Sequence, residues 1–256
     1  MSSVLEKRRS AILDLIKKEK TVRLRDLVER FDVSDETIRR DLSSLERAGY
    51  LARVHGGATL PNMYGVEPRY EMREIINLTE KKLVARAAQQ FIHDGDSLFI
   101  ELGTTTLEFA RLLYTHNDLI ILTNSIPIAD VLINFEKFNV LMIGGHVRIG
   151  DRATSGFLAE QTIDQFNVDK LIMGVGGVNR EGWITDYHTE EANARRKMIQ
   201  RSRRVIALAD YSKFDVTALN QICPLSSVDI LISDEKTPHP YKRIAAEAGA
   251  DLVIAK

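Results

Sequence analysis

Between residues 4 and 16 the apolar positions Val4, Leu5, Ile12, Leu13, Leu15 and Ile16 gather on one side of a 3.6-residue period among lysines, arginines and acids. That spacing predicts an amphipathic helix. After the β-branched triplet Thr21-Val22-Arg23, Leu24, Leu27, Val28 and Phe31 recur at three- and four-residue steps and predict a second, short helix over about 24–31. Ser34 is a good N-cap, and Asp35 and Glu36 fall in a favourable first turn. Ile38, Leu42 and Leu45 then form the stripe of a third helix that ends at Gly49. Tyr50 to Ala58 alternates and closes on Gly56-Gly57, the pattern of a small strand or wing. Two short helices joined by a three- or four-residue turn and followed by a wing make a helix-turn-helix arrangement over 1–58.

Residues 59–77, with Pro61, Gly65 and Pro68 and no sustained period, are expected to be a linker. From 78 to 256 the pattern changes. Helical stretches near 79–92, 104–114, 125–135, 157–166, 189–202 and 240–248 alternate with short continuous apolar runs at 97–100, 119–122, 140–143, 171–175, 205–209 and 229–232. Continuous runs suit strands buried on both faces, so the second domain is expected to be an open, mostly parallel α/β sheet.

Composition adds that the 256 residues, 44% hydrophobic and 28% charged, are enough for a packed core and exclude wholesale disorder. The longest stretches without a charged side chain are 13 residues (54–66 and 216–228), short of the roughly 20 that span a bilayer. The charged start MSSVLEKRRS and the single cysteine, Cys223, fit a cytoplasmic protein without disulfides, and no membrane partner is expected. Net charge is −1, but residues 1–57 carry 13 Lys and Arg against 10 Asp and Glu, and the remainder is acidic. A basic head beside an acidic body is the asymmetry expected when only one segment meets a polyanion.

With Ile38, Leu42 and Leu45 turned inward, the third helix presents Glu36, Arg40, Ser43 and Arg47 outward, with Thr37 and Arg39 at the flanks. Arginines read guanine edges or hold phosphates, hydroxyls donate to phosphates, and a glutamate accepts from a cytosine amine. The alternative is an ordinary salt-bridged surface helix. In the second domain, ligands of an open parallel sheet bind outside the carboxyl ends of its strands. The residues there are small and polar: Glu101 to Thr106 with Gly103, Thr104 and Thr105 opening a helix; Thr123, Asn124 and Ser125; Gly144 and Gly145; Gly176 and Gly177; and Asp210 to Lys213. Hydroxyls with helix N-terminal amides suit a phosphate, Lys213 is the cation for it, and Glu101 and Asp210 accept sugar hydroxyls. Individually such residues are often only caps and turns. Five such ends on one sheet suggest a pocket. There is no G-x-x-x-x-G-K-[ST] motif, Gly174 to Gly177 lacks the third glycine of a dinucleotide fingerprint, and the six histidines and Cys223 have no metal-ligand spacing, so no nucleotide cofactor or metal is expected.

These residues resemble the DeoR family of bacterial transcriptional regulators. The likeness runs through VSDETIRRDLSSLERAGYLARVHGGA (33–58), LGTTT (102–106), LTNSIPIA (122–129), IGG (143–145), GVGGV (174–178), ITDYHTEEAN (184–193) and ALADYSKF (207–214). The resemblance implies a winged helix-turn-helix on double-stranded operator DNA. It implies that Thr37, Arg39, Arg40 and Asp41 lie in the recognition helix, which Ser34 caps, with Arg53 and His55 in the wing. It also implies an effector domain similar in fold to ribose-5-phosphate isomerase. There Gly103, Thr104 and Thr105 would line the phosphate loop, with Asn124, Gly145 and Lys213 around the same crevice. The resemblance implies repression of a carbohydrate-catabolism operon, relieved by a phosphorylated sugar. The linker and two-domain layout add the expectation that the effector domain forms a homo-oligomer, dimer or tetramer, that pairs the DNA-binding heads. Glu101 stands where the family commonly has Asp, and Asn193 where it has an acidic residue. The rival reading is a sugar-phosphate isomerase-like enzyme carrying a DNA-binding head, with Glu101, Asp210 and Lys213 at its crevice.

Overall fold

The computed structural model describes residues 4–59 and 67–256, which divide into two compact units, 1–79 and 80–256. In the first, α1 (Val4–Glu19), α2 (Leu24–Phe31) and α3 (Asp35–Arg47) bury the predicted stripes around Ile12, Ile16, Leu27, Ile38, Leu42 and Leu45, but Val4 and Leu5, expected on the α1 stripe, are exposed in its first turn. The turn between α2 and α3 pivots on Asp32, which takes a left-handed conformation (φ +50°) that Asp tolerates better than most side chains. Ser34 caps α3 by accepting from the Thr37 amide. The strands β1 (Thr21–Arg23), β2 (Ala52–Val54) and β3 (Gly57–Thr59) form an antiparallel sheet in the order β1-β3-β2 and make the wing.

The expected linker needs correction at its C-terminal part. Residues 70–75 are a short helix, α4 (Tyr70–Ile75), and Ile76, with Met72 and Ile75 partly buried, packs on the core of the first unit. Pro61 and Gly65 lie outside the described residues. Six residues are too few to show a helical period among prolines and glycines, so α4 is held by packing rather than by its own pattern.

The second unit begins within α5 (Leu78–Ala88). It continues with β4 (Ser97–Ile100), α6 (Thr104–Ala110), β5 (Ile120–Thr123), α7 (Ile126–Leu132) and β6 (Asn139–Met142). A hairpin of β7 (His146–Arg148) and β8 (Ala153–Ser155) leads to α8 (Phe157–Ile163), β9 (Val168–Gly174), β10 (Gly177–Val178), β11 (Trp183–Asp186), α9 (Thr189–Gln200) and β12 (Ser202–Leu208). The chain ends with β13 (Asn220–Pro224), β14 (Ile230–Asp234), α10 (Pro240–Ala248) and β15 (Asp251–Ala255). Seven strands form one wholly parallel sheet in the order β15-β14-β12-β9-β4-β5-β6. One face packs on α5, α6 and α7 through Val84, Phe109 and Ile128. The other packs on α8, α9 and α10 through Ile163, Met198 and Tyr241. The inner strands β4 and β14 are buried almost throughout, as continuous apolar runs predict, whereas β6 and β15 are edge strands and only half-buried, so the run at 140–143 is not covered on both faces as expected.

From β4 the chain first winds outward to β5 and β6, then crosses back to β9 on the other side of β4 and continues outward to β15. The order therefore reverses between β4 and β9, which is where an open α/β sheet opens a crevice at its carboxyl edge. The small antiparallel sheet β10-β11-β13 follows β9 at that edge.

Candidate functional site

On the first unit, Glu36, Arg39 and Arg40 of α3 are exposed, and among the described residues their charges meet at surface ion pairs one turn apart, Arg39 to Asp35 (3.5 Å) and Arg40 to Glu36 (3.6 Å). Pairs of that kind are worth a few tenths of a kcal/mol, so both guanidiniums are available to an incoming polyanion. Arg53 of the wing donates to the Ser43 hydroxyl (3.1 Å), and its backbone amide donates to Glu46 (2.8 Å), which ties the wing to α3. His55 is exposed at the turn between β2 and β3. Asp41 is different: its carboxylate is buried and accepts from Arg8 (2.7 Å) and Arg9 (3.0 Å) of α1. It is an internal clamp that holds α3 against α1, not a group that faces outward.

On the second unit, the predicted strand ends share one edge, as a parallel sheet requires, but many of their polar groups are spent on building the loops. Asn124 Oδ1 accepts from the Leu102 amide (3.0 Å) and its Nδ2 donates to the Thr154 carbonyl (3.2 Å), so it staples the β4 and β5 loops to β8. Thr123 Oγ1 accepts from the Ser125 amide, Ser125 caps α7, and Thr106 donates to the Gly103 carbonyl within its own turn. Thr104 and Thr105 lie on the first turn of α6, almost buried. Gly103 (φ +153°) and Gly145 (φ +145°) hold backbone conformations that side chains rarely enter, and a Cβ at Gly145 would lie 2.6 Å from the Ser155 carbonyl oxygen. Gly144 neighbours it on open space, and Gly176 backs against β11.

At the reversal point stands Glu101, 1% exposed. Its Oε1 accepts from Arg195 of α9 at 2.6 Å, Arg195 donates in turn to Asp186 at 2.5 Å, and Oε2 is buried with no hydrogen-bond partner. Glu191, one turn before Arg195, is buried beside the same guanidinium and ion-pairs with Arg148 (3.0 Å), which also pairs with buried Asp151. Burial pushes the Glu101 carboxyl up to about 8; Arg195 opposes this, and the like charges of Asp186 and Glu191 add to the rise. Burial by itself would weaken the Arg195 cation, but its acidic neighbours outweigh that and hold it protonated.

On the far side of β9, Asp210 is buried, accepts from the Ser212 amide (3.0 Å) and lies beside two ammonium groups, Lys81 of α5 and Lys213. Burial works against its ionisation, yet the two lysines bring its carboxyl below the ordinary range. The sequence reading named Glu101, Asp210 and Lys213 but missed Arg195, Asp186, Glu191, Arg148 and Lys81. Only Lys81 left a local trace: it shares the inward face of α5 with Val84, Ala85 and Ala88.

Residues 8–63 match the family model of the DeoR-like helix-turn-helix domain, and residues 76–235 match that of the DeoR C terminal sensor domain. The chain belongs to the DeoR family of transcriptional regulators. It is similar to the glycerol-3-phosphate regulon repressor of Escherichia coli K12, at 34% identity over 96% of this chain and 98% of that one. It is 34% identical to the repressor GlcR of Bacillus subtilis 168, over 98% and 96%. A putative aga operon transcriptional repressor of Escherichia coli O157:H7 is 33% identical over 96% and 93%. Among solved structures, a ribose-5-phosphate isomerase in complex with phospho-erythronic acid resembles this regulator at TM-score 0.40 and 19% identity, over 53% of each chain. Among the described residues no helix is long and apolar enough to cross a membrane.

Proposed function

We propose that this regulator is a repressor of a carbohydrate-catabolism operon, that it binds double-stranded operator DNA through α3 and the wing, and that a phosphorylated sugar at the carboxyl edge of the sheet controls that binding. The observation that carries the ligand reading is Glu101, whose Oε2 is buried without a hydrogen-bond partner at the reversal of strand order. A buried polar atom left unpaired costs about 1–3 kcal/mol, which a ligand hydroxyl, able both to donate and to accept, would recover. The β4–α6 loop with Thr104 and Thr105, the Gly144-Gly145 turn and Lys213 supply the surroundings a phosphoryl group needs, and Asp210 holds Lys213 in place. The loops themselves are fixed by Thr106, Thr123, Asn124, Ser125 and Gly176.

On the DNA side, Arg39, Arg40, Glu36 and Thr37 read or position the duplex, Ser34 orders the start of α3, and Arg53, His55 and Ser43 serve the wing. A homo-oligomer, dimer or tetramer, pairs the heads on half-sites about 34 Å apart or at multiples of that spacing. Ile149, Phe157 and Leu158, exposed at 88%, 71% and 62%, support a second copy covering that region of the sensor unit.

The test is the thermal midpoint of the purified protein against D-glucose 6-phosphate, D-fructose 1-phosphate, D-ribose 5-phosphate, sn-glycerol 3-phosphate, inorganic phosphate and the unphosphorylated parents. A ligand at 100 times its Kd stabilises the native state by about 2.7 kcal/mol. One phosphorylated compound should raise the midpoint while its parent does not, and should change affinity for a duplex selected by the protein from a random library. No response to any of them, or turnover of one, overturns the reading.

A further inference from the structure

The β7–β8 hairpin has three residues on each strand, a span of about 10 Å. Contacts from it reach three of the elements around the sensor loops. Arg148 Nε lies 3.0 Å from Glu191 of α9, one turn before the Arg195 that holds Glu101 at 2.6 Å, and Ser155 Oγ donates to Glu190 at 3.0 Å. The Thr154 amide donates to the Asn124 carbonyl at 2.8 Å, and the Asn124 side chain accepts from the amide of Leu102, the residue after Glu101, at 3.0 Å. At the tip, the Arg152 carbonyl accepts from the Ile126 amide of α7 at 3.0 Å. The hairpin is thus bonded to the loop after β4 through Asn124, to the loop after β5, and to α9.

The same short segment carries exposed apolar side chains. Ile149 follows Arg148 at the tip, and Phe157 and Leu158 form the first turn of α8, directly after β8. Large apolar groups clustered on a surface mark a contact with another protein. Two features fit a second copy of this chain as that protein. The charges beside the cluster are of both signs, Arg152 exposed at the tip and Glu160 half-buried on α8, so the surface can meet its own copy across a two-fold axis without like charges opposing throughout. The DNA-binding unit also has one reading helix, α3, and a helix-turn-helix head takes one half-site of a pair.

We propose that the β7–β8 hairpin and the first turn of α8 form the contact with a second copy of this chain, and that Arg148, through Glu191, links this contact to the sensor site, so that effector binding and assembly change each other. This rests on the readings of the protein as a homo-oligomer and of Glu101 as a residue that meets a phosphorylated sugar. A ligand hydroxyl at Glu101 changes its bond with Arg195; Arg195 and Glu191 stand four apart on one side of α9, and Arg148 follows Glu191. Linkage is reciprocal: if the effector changes the affinity of one copy for another, separating the copies changes the affinity for the effector.

Sedimentation velocity of the full chain over a concentration series tests the contact without a ligand. The wild type should assemble, and I149D combined with F157D should raise the dissociation constant at least about hundredfold, about tenfold for each apolar anchor lost. I133D, at the far end of α7 and 66% exposed, should leave it unchanged. A monomeric wild type overturns the homo-oligomer reading and the contact with it. Assembly unchanged in the double variant, or weakened equally by I133D, overturns the contact alone. The link is tested with whichever of D-glucose 6-phosphate, D-fructose 1-phosphate, D-ribose 5-phosphate and sn-glycerol 3-phosphate raises the thermal midpoint. That compound should shift the wild-type dissociation constant at least about fivefold, and its half-saturating concentration should differ between wild type and double variant. In R148M the shift should fall toward one. No shift in the wild type, or a full shift in R148M, overturns the link; if R148M does not fold or assemble, the half-saturating concentrations decide, and equal values overturn it. Failure of all four compounds to raise the midpoint overturns the effector reading and the link with it, and the contact then stands or falls on sedimentation.

Discussion

Replacing Glu101 by Gln removes a carboxyl whose protonation is coupled to folding. In an unfolded chain it titrates near 4.5, and in the folded protein burial raises it to about 8. Below pH 4.5 both states hold the proton. Between 4.5 and about 8 the folded protein retains a proton that the unfolded chain has released, so each pH unit costs about 1.4 kcal/mol of stability. Over the whole window the loss amounts to about 5 kcal/mol, comparable with the total stability of many domains. Glutamine mimics the protonated form, so E101Q should match the wild type near pH 5 and exceed it progressively toward pH 8 to 9. Trp183, the single tryptophan, lies on β11 of the sensor unit, three residues before Asp186, and reports the transition in urea by its fluorescence. The difference in unfolding free energy between variant and wild type, taken at several pH values, isolates Glu101 from the histidines. A difference that is flat from pH 5 to 9 would refute the raised value and with it burial, aided by the charges of Asp186 and Glu191, as its cause.

Three further outcomes follow from the same contacts. Asp41→Ala strands Arg8 and Arg9 inside the DNA-binding unit; because both arginines keep slight solvent access, the cost is about 2–4 kcal/mol, seen as faster amide exchange in α1 and α3 of the intact protein, and unchanged exchange would refute the clamp. Arg40→Ala should leave the fold unchanged and weaken binding to a selected duplex by about 1–3 kcal/mol; equal losses on selected and scrambled duplexes would assign Arg40 to phosphates rather than bases. Gly145→Ala places a methyl 2.6 Å from the Ser155 carbonyl at a φ of +145°, so urea unfolding should lose at least about 2 kcal/mol, and a loss under about 0.5 kcal/mol would show that the turn yields freely.

Local pattern carried the secondary structure wherever one face of an element is uniformly apolar. Ile38, Leu42 and Leu45 define α3, Ser34 defines its start, and the runs at 97–100 and 205–208 lie within β4 and β12 because both faces of those strands are covered. Elements that are very short, or held by a partner distant in sequence, left no such trace. β10 has two residues and β7 and β8 three each, too few to show a period, and β13 pairs with β11 some 40 residues away; their extended backbone comes from the neighbour that supplies the hydrogen bonds. The helix α4 belongs to the same class, since the packing of Met72 and Ile75 on the core of the DNA-binding unit, not its composition, keeps it helical.

The candidate site divides along the same line. Glycines and hydroxyls at strand ends were legible because chain reversal beside a buried strand needs those residue types at those positions, whether or not a ligand comes. Arg195, Asp186 and Lys81 were not, because a charged residue in a helix or strand reads as a solvated one until the fold shows what faces it. The β4/β9 reversal brings Glu101 beside Arg195, 94 positions away, and the antiparallel run of α5 sets Lys81 against Asp210. The chemistry of each side chain is written in the sequence, but its charge state and its partner depend on the solvent it loses, and only the folded sheet with helices on both faces removes that solvent.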